Sequence, residues 1–384
     1  MKYTKHRIAV LVDTSSGWGR RVIRGIANYG LKHGPWQLSV DEIGINEAMH
    51  LKPDWQGHGI IARVSDKRLL NELVASGKPV VNVSGIQLNG SQLPSVTTDY
   101  NKVAQLAVQH FAERGFRHLG YYGLGNYSYV KRHTEAFVNC AKMQNLPCQV
   151  LHKKLNKSTH SREAERKELK SWLENLPKPI GILSWGTRLS HDILNVCSES
   201  GIAVPEEIAV LAGDYDDLLC DVCDPPLSGV VTPAEQIGHE AARMLDMLLK
   251  GKVPEETTMI EPTGIHIQRS TDTQVIADPV LAKALQYIHE HMHRPIQVGD
   301  VAEAVNVSRR SLERRFEVAL GYSPSRKIQK AHLERAQKLL KETDMSMTDI
   351  AAASGYGSAE YMICIFKKAT GLTPLKYRTW LRAY

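Results

Sequence analysis

Asp300–Pro324, DVAEAVNVSRRSLERRFEVALGYSP, is followed by a second stretch of the same cast, Asp349–Pro374, DIAAASGYGSAEYMICIFKKATGLTP. Asp300-Val301-Ala302 matches Asp349-Ile350-Ala351 at an offset of 49 residues. Ser308, Phe316, Gly321 and Pro324 match Ser358, Phe366, Gly371 and Pro374 at an offset of 50, so the second copy carries one extra residue in its turn. A repeat of this period marks a duplicated supersecondary unit. Each copy reads as a short helix, a tight turn and a longer helix, the helix-turn-helix pattern whose second helix can enter a DNA major groove.

Charge follows the repeat. Residues 279–384 hold 17 Lys and Arg against 10 Asp and Glu, while residues 1–278 hold 31 of each, so the whole net charge of +7 lies on the repeated segment. A basic domain joined to a neutral one is what binding to a phosphate backbone asks for. A solvated cationic face would not explain the segregation. At 384 residues the chain suits two or three domains. No apolar run approaches the length of a membrane span, and Ile8–Val12 is too short for a signal-peptide core. A cytoplasmic, nucleoid-associated protein with reduced thiols is expected. Cys220 and Cys223 have ligand spacing without a second pair, and His289, His291 and His293 have no carboxylate or thiol companion. No metal site is therefore expected, and no phosphate loop or nucleophile elbow implies a cofactor or catalysis.

Residues 1–270 alternate short apolar runs with amphipathic stretches, the pattern of parallel α/β folding. Strands are expected at Arg7–Val12, Gln37–Asp41, Gly59–Val64, Pro79–Val83, His118–Tyr122, Ile180–Leu183, Ile208–Ala212 and Gly229–Val231. Helices are expected at Arg20–His33, Tyr100–Arg114, Arg162–Asn175, Ser190–Ser200 and Ala234–Lys250. Two Rossmann-like lobes fit this length better than one sheet. Ligands in such folds lie at the carboxyl ends of strands. Polar and aromatic groups gather there: Asp13 to Trp18, Gly123 to Arg132, Trp185 to Arg188, and Asp214 to Asp217. An indole can cover a sugar ring while carboxylates and guanidinium groups satisfy its hydroxyls. Loop residues are polar in any case, and strand-end Asp also caps helices, so composition leaves a pocket and plain capping both open. The polar segment Gln268–Asp278, QRSTDTQVIAD, reads as a linker.

In the first repeat, Leu312, Phe316 and Ala319 are spaced as an inward stripe, which turns Arg309, Arg310, Glu313, Arg314 and Glu317 outward. Arg reads guanine and Glu accepts from cytosine, although the same alternation suits a salt-bridged surface helix. In the second repeat Met362 and Phe366 face inward, leaving Ala359, Glu360, Ile363 and Cys364 at or near the exposed side. Lys367 and Lys368 are placed for phosphates.

The segment Val280–Ala383 resembles the AraC/XylS family, on DVAEAVNVSRRSLERRF with LGYSP and on DIAAASGYGSAEYMICIFKKATGLTP. That resemblance implies two helix-turn-helix units joined by a long helix (about Ser325–Lys341), reading successive major grooves. It puts Arg309, Arg310, Glu313 and Arg314 on the first set of reading positions, and Ala359, Glu360, Ile363 and Cys364 on the second. Cys364 stands where that family often has Arg. Residues 6–270 resemble the LacI/periplasmic-binding-protein sensor fold on RRVIRGIANYGLKHGPW, TTDYNKVAQLAVQHFAERGFRHLGYYG, KRHTEAF and GDYDDLLCDVCDPPLSGV with EQIGHEAARML. This combination is similar to the xylose operon regulator group. The resemblance implies a sugar cleft with Asp214 as ligating carboxylate, Arg132 near the binding Arg, and Trp18 and Trp185 lining it; Asp13, after the first strand, is a further ligand candidate from its strand-end position. Thr187 replaces a commonly found Asp.

The expected fold is a two-lobed α/β, periplasmic-binding-protein-like sensor of type I over residues 1–270, then a linker at 271–280. An all-α DNA-binding domain follows at 281–384, with helix-turn-helix units at about 299–320 and 347–370. The expected partners are double-stranded operator DNA, a pentose-like sugar, a second copy of the chain and RNA polymerase, with no membrane. A sugar-processing enzyme with an accessory basic domain, or an adaptor built on the helical repeat, are the alternatives; turnover and salt dependence of DNA binding separate them.

Overall fold

The structure, a computed structural model, describes residues 5–44, 47–85, 88, 92–125, 128–153, 159–273, 275 and 278–382, without the side chains at 128–129, 159–162, 279, 342 and 380–382. Asn126 and Tyr127 in the expected ligand loop, Gln274, Ile276 and Ala277 in the expected linker, and Ala383 and Tyr384 at the end lie outside the described residues. The chain divides into an N-terminal unit, Met1–Thr273, and a C-terminal unit, Gln274–Tyr384.

The N-terminal unit holds two sheets. The first lobe contains β1 (His6–Leu11), α1 (Gly17–His33), β2 (Trp36–Val40), β3 (Gly59–Ala62), α2 (Lys67–Ala75), β4 (Val80–Asn82) and β5 (Ser95–Thr98). The second contains α3 (Tyr100–Glu113), β6 (Leu119–Leu124), α4 (Ser128–Met143), β7 (Cys148–Lys153), α5 (Thr159–Asn175), β8 (Ile180–Ser184), α6 (Thr187–Glu199), β9 (Ile208–Ala212), α7 (Asp217–Asp221) and β10 (Ser228–Val231). The chain then returns to the first lobe with α8 (Ala234–Leu249) and β11 (Thr257–Ile260), and goes back to the second with β12 (Gly264–His266). The sheet orders are β11-β5-β4-β3-β1-β2 and β12-β10-β9-β8-β6-β7. All pairings are parallel except β10 with β12.

The apolar runs explain the centres of these sheets. Ile8, Val10, Ile60 and Ile61 are fully buried, as are β8 and β9 along their whole length. Strands covered by helices on both faces read as continuous rather than alternating apolar runs. Helices α1 and α8 cross at glycines: a Cβ on Gly25 would stand 2.0 Å from the Glu235 carbonyl oxygen, and one on Gly238 would stand 2.0 Å from that of Val22. Backbone therefore packs on backbone there, which a side chain would prevent.

Two expectations change. The stretch Gly123–Arg132 is not all loop, because α4 begins at Ser128 and carries Arg132. The segment Gln268–Asp278 does not start as a free linker. Arg269–Thr271 form a single 3-10 turn in which Ser270 and Thr271 are wholly buried. Thr271 Oγ1 lies 2.9 Å from His110 Nε2 and donates to Ser228 Oγ at 2.7 Å. Ser270 Oγ donates to the Val210 carbonyl at 2.6 Å, Arg114 Nε to that of Thr271 at 2.9 Å, and Arg269 pairs with Glu206. The polar residues that suggested a solvated linker satisfy one another instead.

The C-terminal unit is helical: α9 (Pro279–His291), α10 (Val298–Ala304), α11 (Arg309–Leu320), α12 (Pro324–Glu342), α13 (Met347–Ala353), α14 (Ala359–Thr370) and α15 (Pro374–Arg382). It has two small cores. Leu285, Ile288, Val301, Leu312 and Phe316 form one with Ile328 and Ala331 of α12; Ile350, Met362 and Phe366 form the other with Ala336 and Leu340 of α12. Ser308 and Ser358 cap α11 and α14 by accepting from Ser311 N and Tyr361 N, and Gly321 and Gly371 end them in the left-handed conformation. Ala319 is exposed, contrary to the expected stripe; Leu320 continues the inward face instead. Among the described residues no helix is long and apolar enough to cross a membrane.

Candidate ligand cleft and nucleic-acid interface

In open parallel sheets ligands bind in the crevice outside the carboxyl ends of the strands, where the connecting loops meet. In the first lobe Asp13 follows β1 and Arg63 follows β3. Asp13 is 0% exposed, and its two oxygens accept from Arg63 Nη1 at 2.7 Å and Ser16 N at 3.2 Å. It therefore sets the position of Arg63 rather than presenting a free carboxylate. The Arg63 guanidinium stands 5.5 Å from the centre of the Trp18 ring, a cation–π arrangement that fixes both groups.

In the second lobe Trp185 follows β8, Asp214 follows β9 and Arg132 sits on α4 after β6. The Asp214 side chain keeps 29% of its surface exposed. It accepts from Thr232 Oγ1 at 2.5 Å and from Arg21 Nη2 at 3.3 Å, and its backbone carbonyl accepts from Thr187 Oγ1 at 2.7 Å. Loss of hydration pushes its carboxyl pKa up to about 6, against the opposing pull of Thr232 and Arg21. Helix α1 reaches the same loop twice more: Arg21 Nη2 donates to the Tyr215 carbonyl at 3.0 Å and Gly17 N to Asp216 Oδ2 at 2.9 Å.

An aromatic group closes the floor. Tyr100, the first residue of α3 at the crossing between lobes, packs 5.5 Å from the His133 ring and 5.9 Å from Trp185. His133 and Trp185 meet nearly edge-on at 5.0 Å, and Tyr121 OH pairs with His133 Nδ1 at 2.8 Å. Burial pushes the His133 pKa down to about 3, so the imidazole is neutral. Burial also raises the Tyr100 hydroxyl, which is close enough to feel Arg132 and Arg63, which lower it, and Asp214, which raises it. Trp18 and the buried Asp13 thus both meet Arg63, and Trp185 meets Tyr100, at the strand ends where Asp214 pairs with Arg21.

Sequence reading passed over Arg21, Arg63, Tyr100 and His133. A charged residue directly after an apolar strand was the available sign for Arg63. Tyr100 and His133 lie in TTDYNKV and KRHTEAF, where only a structure shows that they face each other. Among the described residues no group of three His, Cys, Asp or Glu side chains could hold a metal ion.

On the C-terminal unit, Arg309, Arg310 and Arg314 are exposed on α11. Arg309 Nε pairs with Glu313 Oε1 at 2.9 Å, whereas Arg310 and Arg314 make no ion pair among the described residues. Arg315 turns inward and pairs with Asp278, the cap of α9. On α14, Glu360, Cys364, Lys367 and Lys368 are exposed, but Ala359 and Ile363 are half-buried against the second core. The Glu360 carboxyl is held below its ordinary range by its own backbone N–H and the Ser358 hydroxyl, which occupies it at the helix start. Tyr361, not among the expected residues, is 52% exposed on this face.

Residues 7–103 match the family model of the XylR N-terminal domain, residues 108–271 that of a periplasmic binding protein-like domain, and residues 301–379 that of a helix-turn-helix domain. The chain is 31% identical over 382 residues to the xylose operon regulatory protein of Escherichia coli strain K12, covering 97% of both. It is 29% identical over 384 residues to that of Haemophilus influenzae, covering 97% of this chain and 98% of the relative. The solved structure of the xylose-binding transcription activator xylR matches with a TM-score of 0.84 at 28% identity, over 99% of each chain. A LacI family regulator from Enterococcus faecium with bound ribose shares the sensor fold over 70% of this chain, with a TM-score of 0.55 at 17% identity.

Proposed function

This chain belongs to the family of xylose operon regulatory proteins, and we propose that its effector is a pentose of the xylose type held between the two lobes of the sensor. The protein is a sugar-responsive, DNA-binding transcription activator. The observation that carries the ligand reading is the meeting of the two lobes at these strand ends: Arg21 of the first lobe donates to Asp214 of the second at 3.3 Å and Gly17 N to Asp216 at 2.9 Å, while Tyr100 at the crossing packs 5.9 Å from Trp185. A ligand that satisfies groups of both lobes at once favours the arrangement in which they are close, and it shifts that equilibrium only by its differential affinity. Trp18 and Trp185 supply faces for the apolar side of a sugar ring; Arg63, Arg132 and Asp214 supply donors and an acceptor for its hydroxyls.

In this reading closure of the lobes changes how the C-terminal unit engages operator DNA. Arg310 and Arg314 read bases, and Lys367 and Lys368 hold phosphates. The protein acts in the cytoplasm as a dimer, touches RNA polymerase at the promoter, and carries out no catalysis.

A thermal-shift panel of xylose, arabinose, ribose and glucose tests the effector. Binding to the folded state alone raises stability, by about 2.7 kcal/mol at a hundredfold excess over Kd. Xylose should give the largest shift, and Asp214→Ala should abolish it without unfolding the protein. A folded protein that responds to no pentose, by melting or by X-ray scattering, refutes the reading.

A further inference from the structure

The two helix-turn-helix units make the same turn with different residues. Asn306 holds φ at +53° between α10 and α11. Gly355, 49 residues on, holds φ at +74° between α13 and α14. The first copy shows that Asn suffices for this left-handed turn, so the backbone angle alone does not call for glycine. Space does. A Cβ on Gly355 would stand 2.6 Å from the Arg294 carbonyl oxygen and 2.6 Å from His332 Nε2.

Those neighbours come from different parts of the unit. Arg294 lies in the connection from α9 to α10, on the side of the first helix-turn-helix. His332, 7% exposed, lies near the middle of α12, between the residues that α12 gives to the two cores. Tyr356 packs edge-on against His332 at 5.6 Å, and Arg335 Nε donates to the Ala353 carbonyl at the end of α13 at 2.5 Å. The turn of the second unit is thus fastened to the middle helix and pressed directly on the first unit.

We propose that this seam of Gly355, His332 and Arg294 fixes the spacing between the two sequences that α11 and α14 recognise, with His332 and Gly355 acting as positioning residues. The inference rests on the reading that both helices engage DNA. Two bodies joined by a single helix keep freedom to bend and twist about it. A direct contact off the helix axis removes that freedom. Spacing then becomes part of specificity, since each added base pair moves one site about 3.4 Å along the duplex.

The test uses the full chain and selection from a random duplex library. Each protomer of the wild-type protein should select two base motifs at one spacing, whether or not the pair is repeated for a second copy of the chain. His332→Ala, which loosens the seam without crowding it, and Gly355→Asn, which places the first copy's residue in the second, should select the same motifs over a spread of spacings. A single unchanged spacing for His332→Ala, folded by circular dichroism, overturns the seam; this variant decides the matter where crowding at residue 355 prevents folding. Selection of one motif alone by wild-type protein overturns the two-helix reading itself.

Discussion

Helices α11 and α14 occupy equivalent places in the two repeats and agree wherever they face inward. Leu312 and Phe316 answer to Met362 and Phe366, all fully buried, and the capping serines and terminal glycines correspond. Their outer faces differ. Helix α11 carries Arg309, Arg310 and Arg314 exposed along its first half, while α14 shows Glu360, Tyr361 and Cys364, with cations only at Lys367 and Lys368 in its last turn. Duplication has kept what the fold needs and left the surface to diverge. A planar guanidinium fork suits base edges, whereas a lysine at a helix end supplies charge without sequence reading.

The largest expected effect probes the shared part. Phe316→Ala and Phe366→Ala should each destabilise the C-terminal unit by about 3–5 kcal/mol in denaturant unfolding. Markedly unequal losses would mean that the two halves are not equivalent packing units. The divergent part comes next. Arg310→Ala and Arg314→Ala should each lose about 1–3 kcal/mol of operator affinity with specificity relaxed at one position. Lys367→Ala and Lys368→Ala should weaken all sequences alike and flatten the salt dependence. A sequence-specific loss on the lysine variants would erase the contrast.

The smallest effect sharpens it by pH. Burial lowers the His332 pKa below its ordinary value of 6.5. The unfolded chain therefore binds the proton first, so stability is fully present above about pH 6.5 and declines as pH falls below it. Unfolding midpoints compared at neutral and mildly acidic pH should show this decline in wild-type protein and a shallower one in His332→Leu.

The fold was legible in proportion to how apolar each element is. All eight expected strands occur, and they include the centres of both sheets. The missed strands β7, β11 and β12 are sheet edges, where exposed residues such as Val150 and Met259 break the buried run, and β5 is only four residues long beside an edge. Edge strands need less apolar surface, so periodicity is weak there. The candidate cleft is legible in sequence only in part. Trp18, Arg132, Trp185 and Asp214 stand near strand ends, which sequence can locate. The opposition of Arg21 to Asp214 spans 193 residues and depends on two lobes meeting. Ala359 and Ile363, expected at or near the exposed side, are half-buried against the second core, because a helical period gives a face, not how far the neighbouring core extends over it.

The 3-10 turn at Arg269–Thr271 decides where the sensor ends as a module. Cutting the chain after Ile267 would strip His110, Ser228 and Arg114 of partners they hold in the interior, and a buried polar group left unpaired costs about 1–3 kcal/mol. Thr273 is thus the natural suture. A sensor grafted onto another output domain at that point would keep its interior intact, and every such chimera would hang from the second lobe.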